Sequence, residues 1–143
     1  MINNVTETLL VEIGQLLRLD AEYADENTLL YAQVDHNMTG EAIFKELGNQ
    51  ILYRRRTPRR LLYALLELWN DQPDADRWSE MEYVVRDGRF EVTYTYPDEI
   101  DPQEDELDRR DRIVRKHFGV KPIVYPPWPP TDEDGEDLPS YEL

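Results

Sequence analysis

The chain has 143 residues, no cysteine, and 31 acidic against 16 basic side chains, for a net charge of −15. That excludes a disulfide framework, a thiol nucleophile and a thiolate metal site. It also disfavours nucleic acid and anionic membranes as partners and favours basic proteins.

The N-terminal MINNVTETLL lacks the basic start of a signal peptide. No apolar run approaches the roughly 20 residues of a membrane helix, so a cytoplasmic location is expected. Residues 4–18 read as a helix. Asn4 and Glu7 have capping-box spacing, and Val5, Leu9, Ile13, Leu16 and Leu17 share one face, interrupted by Gly14. Residues 28–35, TLLYAQVD, alternate loosely and suit a strand. The stretch 41–55 admits a hairpin about Gly48-Asn49 or a helix capped by Thr39. Its β-branched and aromatic content favours strands at 41–46 and 50–55.

A helix over 58–70 follows, with Thr57 as N-cap, Pro58 at the first position, and Leu61, Leu62, Leu65, Leu68 and Trp69 as its buried stripe. The run 78–96, WSEMEYVVRDGRFEVTYTY, reads as a hairpin about Asp87-Gly88, because a type I′ turn needs positive φ at both central residues. A two-residue turn pairs Arg86 with Arg89, and then Val85 with Phe90, Tyr83 with Val92 and Met81 with Tyr94 on one apolar face. Glu80, Glu82 and Glu91 fall on the other, which reads as acidic and solvated. The aromatic row Tyr83, Phe90, Tyr94 and Tyr96 suits a core better than a ligand cage.

A third helix is expected from an Asp101 cap, with Pro102 first and Glu104 third. It carries a thin apolar stripe of Leu107, Val114 and Phe118. Four exposed i,i+4 pairs are expected, Asp105–Arg109, Glu106–Arg110, Asp108–Arg112 and Asp111–Arg115, each worth about 0.2–0.5 kcal/mol. Gly119 ends it. The expected architecture is α+β, a mostly antiparallel sheet of four or five strands with helices against it, in the order α-β-β-(β)-α-β-β-α. One domain spans 1–122. Residues 123–143 form a proline-rich tail, extended at first, with Val124, Tyr125 and Trp128 against the domain, and acidic and disordered at its end.

No nucleotide-loop, nucleophile-elbow or zinc-protease motif is present, and no catalytic, cofactor or metal residue is assigned. His36 and His117 read as structural or exposed. Asp74-x-Asp76 and Asp132-x-Asp134 lack calcium-loop spacing. Arg54, Arg55, Arg56, Arg59 and Arg60 form the basic patch. Arg59 and Arg60 open a helix, where the dipole disfavours cations, so compensation by acids elsewhere in the domain is expected. Glu80, Glu82 and Glu91 continue into Asp98, Glu99, Asp101, Glu104, Asp105 and Glu106, an acidic tract suited to a basic partner.

Trp78, Met81, Tyr83, Val85, Gly88-Arg89-Phe90, Val92, Tyr94-x-Tyr96, Asp98, Arg109 and Gly119-Val120-Lys121-Pro122 together resemble the YezG-like family of bacterial immunity proteins, or antitoxins. The resemblance covers about 78–122, and the helix 58–70 suits it. Ile113 stands where the family often has tryptophan. The arginine cluster and the tail are outside the pattern. The resemblance implies an α+β fold and a non-enzymatic protein that binds and blocks a cognate toxin, frequently a nuclease. Glu80, Glu82, Glu91, Asp98, Glu99, Asp101, Glu104 and Asp105 are the expected partner-binding residues, with no cofactor. The alternative is an acidic self-associating module, a homodimer with no toxin partner.

Overall fold

The computed structural model describes residues 4–36 and 38–127. In chain order they form α1 (Asn4–Leu17), β1 (Thr28–Asp35), β2 (Met38–Leu47), β3 (Gln50–Arg54), α2 (Arg59–Asn70), β4 (Glu80–Arg86), β5 (Arg89–Thr95), α3 (Glu106–Phe118) and β6 (Ile123–Val124). Short 3₁₀ turns lie at Asp74–Asp76 and Pro97–Glu99. The fold is α+β, with one six-stranded sheet in the order β5-β4-β1-β2-β3-β6.

All neighbours run antiparallel except β3 and β6, which are parallel. The sixth strand was not expected. Ile123 and Val124 lie beyond the expected domain limit at 122 and pair with Ile51 and Leu52, and the Ile51 amide donates to the Pro122 carbonyl at 2.9 Å. Two residues are too few to show a period. Of the tail, 128–143, including Trp128 and Asp132-x-Asp134, lies outside the described residues.

Turn chemistry sets the two hairpins the sequence suggested. Asp87 and Gly88 have φ of 52° and 75°, the I′ signature, and the β4–β5 register is the expected one, from Arg86 opposite Arg89 to Met81 opposite Tyr94. In the 41–55 stretch the hairpin reading holds: Leu47 pairs with Gln50 across Gly48-Asn49. Gly48 takes φ of 61°.

The sheet is covered on both faces, with α1 and α2 on one and α3 on the other. Leu9, Ile13 and Leu17 of α1 and Leu61, Leu65, Leu68 and Trp69 of α2 pack on Leu30, Ala32, Val34, Ile43, Met81 and Tyr83. On the opposite face Ile113, Val114 and Phe118 of α3 pack on Leu29, Tyr31, Phe44, Ile51 and Val84. Central β1 is therefore buried on both sides, which explains its weak alternation. Thr6 Oγ1 donates to Asp71 Oδ2 at 2.8 Å, and Arg60 holds Glu12, tying the two helices together.

Three local expectations are corrected. Val5 is exposed rather than part of the buried α1 face. The expected Asn4–Glu7 cap rests on a side chain outside the described residues. Helix α2 begins at Arg59 with Pro58 at the N-cap and no side-chain cap, because Thr57 bonds Glu41 instead. Helix α3 begins four residues later than expected. The Asp105 carboxylate accepts from the amides of Leu107 and Asp108, while Asp101 closes its own turn through Gln103. Starting at Glu106 presents Arg109, Ile113, Val114 and Phe118 to the sheet and leaves Leu107 61% exposed.

Candidate functional site

The hairpin β4–β5, the 3₁₀ turn at Pro97–Glu99 and the start of α3 form one continuous surface. Two shallow clefts, of about 510 Å³ and 330 Å³, share Glu99, Arg109 and Arg112. The larger is completed by Asp101, Gln103 and Glu104. The smaller runs between β5 and α3 and is completed by Glu82, Thr93, Tyr94, Thr95, Ile113 and Lys116.

Glu80 and Glu82 are not on a solvated face, because α3 lies over them. They are 2% and 3% exposed. The Arg109 guanidinium donates to Glu80 through Nε at 2.8 and 3.1 Å, and its Nη2 lies 2.8 Å from the same carboxylate. Gln33 Nε2 adds a bond at 3.2 Å. Burying a carboxylate is tolerable only with such pairing. The bond to Glu80, against the cost of burial, raises the Arg109 pKa, so the guanidinium stays charged. The Tyr31 hydroxyl is buried beside this pair. Burial, with the Glu80 charge, pushes its phenol up.

Glu82 receives Lys116 Nζ and His117 Nε2, each at 2.7 Å. Burial opposes its ionisation, but the bonds from His117 and Lys116 outweigh that and hold the carboxyl below its usual range. Glu104 is half-buried and clamps Arg112 at 2.9 Å, with Arg109 at 3.4 Å. The Arg112 bond is the main cause of its lowered pKa. Arg109, Arg110 and Arg112 thus turn to the sheet and to Glu104, and none of the expected i,i+4 pairs is an ion pair among the described residues. Arg110 lies over the rings of Phe44, Tyr53 and Tyr125, with guanidinium carbon to centroid distances of 5.6, 5.4 and 5.8 Å.

Of the eight expected partner-binding residues, Glu80, Glu82 and Glu104 are therefore engaged internally. Glu91, Asp98, Glu99, Asp101 and Asp105 are exposed and, with Glu106, make no ion pair among the described residues. Glu99 accepts from the Tyr96 amide at 2.9 Å and is held in place by that turn. The burial of Glu80 and Glu82 carried one sequence signal, the bases Arg109, Lys116 and His117 on α3, of which local pairing rules assigned Arg109 to Asp105.

The arginine patch is largely compensated within the domain. Arg54 makes a bidentate contact to Asp20 at 2.6 and 3.0 Å and reaches Glu22 at 3.1 Å. Arg60 holds Glu12 and Glu67. Arg55 donates to the Pro126 carbonyl at 2.6 Å. Arg54, Arg55 and Arg56 line a groove of about 760 Å³ with Leu16, Ile43 and Tyr53. Beneath it Lys45 is buried and bonded to Thr28 Oγ1 at 2.7 Å and the Leu17 carbonyl at 3.3 Å, a cation placed at the C-terminus of α1.

Among the described residues no group of three or more His, Cys, Asp or Glu could hold a metal ion. No described helix is long and apolar enough to cross a membrane. Fold and surface together define an α+β protein in which Glu80, Glu82 and Glu104 are charge-paired and Glu91, Asp98, Glu99, Asp101, Asp105 and Glu106 lie exposed beside them. No protein-family model matches the chain, and no curated protein matches it.

Proposed function

We propose that the chain is an immunity protein that binds a cognate, basic, nuclease-type toxin and neutralises it by one-to-one occlusion. The observation that carries the reading is the exposed tract Glu91, Asp98, Glu99, Asp101, Asp105 and Glu106, left without ion-pair partners beside the paired Glu80, Glu82 and Glu104. The resemblance of 78–122 to YezG-like immunity proteins motivates it. A nuclease must be basic to hold a polyanion. An acidic inhibitor is steered to the same surface and competes for it without chemistry of its own. The buried Glu80–Arg109 and Glu82–Lys116–His117 contacts have a supporting role, since they fix α3 and the adjacent turn and so hold the free acids in place.

Tagged protein retained on resin at low salt, with mass spectrometry of the co-purifying protein, supplies the partner. Its nuclease activity is then titrated with the chain. The expected result is inhibition complete at one equivalent. Steered association exceeds unsteered by about a hundredfold or more. Reversal of Glu91, Asp98, Glu99 and Asp101 to lysine should therefore slow binding on the order of tenfold or more at low salt. An uninhibited partner refutes the function, and an unchanged association rate refutes this surface.

A further inference from the structure

We propose that the outer edge of β5 is a self-association surface on which the β5 strand of a second copy of this chain pairs antiparallel, about a two-fold axis at Val92. The inference does not depend on the toxin reading. At the opposite end of the sheet β6 covers the edge of β3. Strand β5, seven residues long, is the last strand on its side, and no described strand pairs with its outer edge.

The two-residue turn makes Arg86 and Arg89 the hydrogen-bonded pair that closes the hairpin. Arg89, Glu91 and Thr93 therefore aim their amides and carbonyls at β4, and Phe90, Val92 and Tyr94 aim theirs outward. An unpaired row of this kind is a template for another strand unless lysine, proline or a bulge blunts it. Between Phe90 and Tyr94 the sequence is FEVTY, with none of the blunting side chains except Glu91.

Side chains select the occupant. On the α1/α2 face lie Phe90, 38% exposed, and the half-buried Val92 and Tyr94. Antiparallel pairing about Val92 sets Phe90 opposite Tyr94 of the second copy and the two Val92 residues together, extending the stacks of Tyr83 on Phe90 and Trp78 on Tyr94.

On the α3 face charge runs along the strand. Arg89, at the turn end, is exposed and makes no ion pair among the described residues. Asp98 and Glu99 follow the other end. Antiparallel pairing places each Arg89 opposite Thr95 of the second copy, next to its Glu99. Parallel pairing would stack arginine on arginine. Glu91 meets Thr93 of the second copy. The two Glu91 side chains lie on a diagonal across the axis, a repulsion that two Arg89–Glu99 contacts offset.

Sedimentation equilibrium of the full chain at physiological salt, from micromolar to near-millimolar concentration, tests it. A species of twice the 17.0 kDa chain mass is expected at the higher concentrations. Arg89→Glu and Glu99→Arg should each weaken self-association by roughly tenfold or more, and mixing the two variants should restore it as a heterodimer, because every contact is then opposite in charge. Val92→Pro, which removes an outward amide and leaves the β4 ladder intact, should give a folded monomer by circular dichroism. A wild-type monomer at every concentration overturns the proposal. So does a dimer indifferent to both charge changes.

Discussion

Replacing Arg109 with methionine tests the feature that most distinguishes this interior, the buried Glu80–Arg109 pair under α3. Glu80 is 2% exposed, and the guanidinium supplies its charge partner and its shortest hydrogen bonds. Removing one member of a buried pair costs about 3–5 kcal/mol, because the remaining charge is left in a poorly polarisable site. Gln33 keeps its bond to Glu80 at 3.2 Å, a neutral donor worth about 1 kcal/mol, so the lower end of that range, about 3 kcal/mol, is expected. Domains of this size have only about 5–15 kcal/mol in total. With a urea slope of about 1–3 kcal/mol per molar, the unfolding midpoint should fall by roughly 1–3 M. Adding Glu80→Gln should recover at least half of the loss, since a neutral amide can bond Gln33 without a buried charge. A single-variant loss under about 1 kcal/mol would refute the reasoning. So would a double variant no better than the single.

Gly14→Ala is expected to destabilise the fold although alanine favours helix by about 1 kcal/mol. Its Cβ would lie 2.7 Å from the hydroxyl of the fully buried Tyr83, whose oxygen is tied to the Leu10 carbonyl, and such overpacking costs about 1–3 kcal/mol. In a Tyr83→Phe background the same change should be neutral or stabilising, read by thermal melting. Acid should destabilise the protein. Burial raises the carboxyls of Asp20, Glu46 and Glu82, but their hydrogen bonds outweigh it and hold all three below their ordinary values of 3.8, 4.5 and 4.5. Groups depressed in the folded state contribute stability that is fully present above those values and is lost as pH falls below them. Glu12 and Glu104 are lowered as well, and Glu41, raised by burial, opposes these as one group against five. Urea midpoints should decline below pH 4.5, less steeply in Glu82→Gln, and a flat profile would contradict the assignment.

Features governed by a few neighbouring residues were legible in the sequence. The Asp87-Gly88 turn requires positive φ at both positions, and it carries the whole β4–β5 register with it. The stripe of Leu61, Leu65, Leu68 and Trp69 identifies the buried face of α2. The strand reading of 41–55 rests on residue type and on a Gly-Asn turn. Of the candidate surface, the exposed acids Asp98, Glu99, Asp101 and Asp105 were legible because charges on a turn and a helix start rarely find cover, and Glu91 because it lies on the edge strand β5.

What only the tertiary structure decided is which face of the sheet is covered, and by what. Period two shows that Glu80 and Glu82 share a side of β4, and an acidic side reads as solvated. They are buried because β4 lies beside the central β1 and α3 crosses above them, bringing Arg109 29 residues along the chain to Glu80 and His117 35 residues to Glu82. The start of α3 lies at Glu106 rather than Pro102, where the Asp105 carboxylate caps it, and its Arg109 and Ile113 face the sheet. The fold also makes Gly14 a packing requirement of Tyr83 rather than a weak point in a helix. Dihedral preferences and caps act within a turn of chain and can be read locally. A buried charge is tolerated only by the opposite charge that the fold delivers to it.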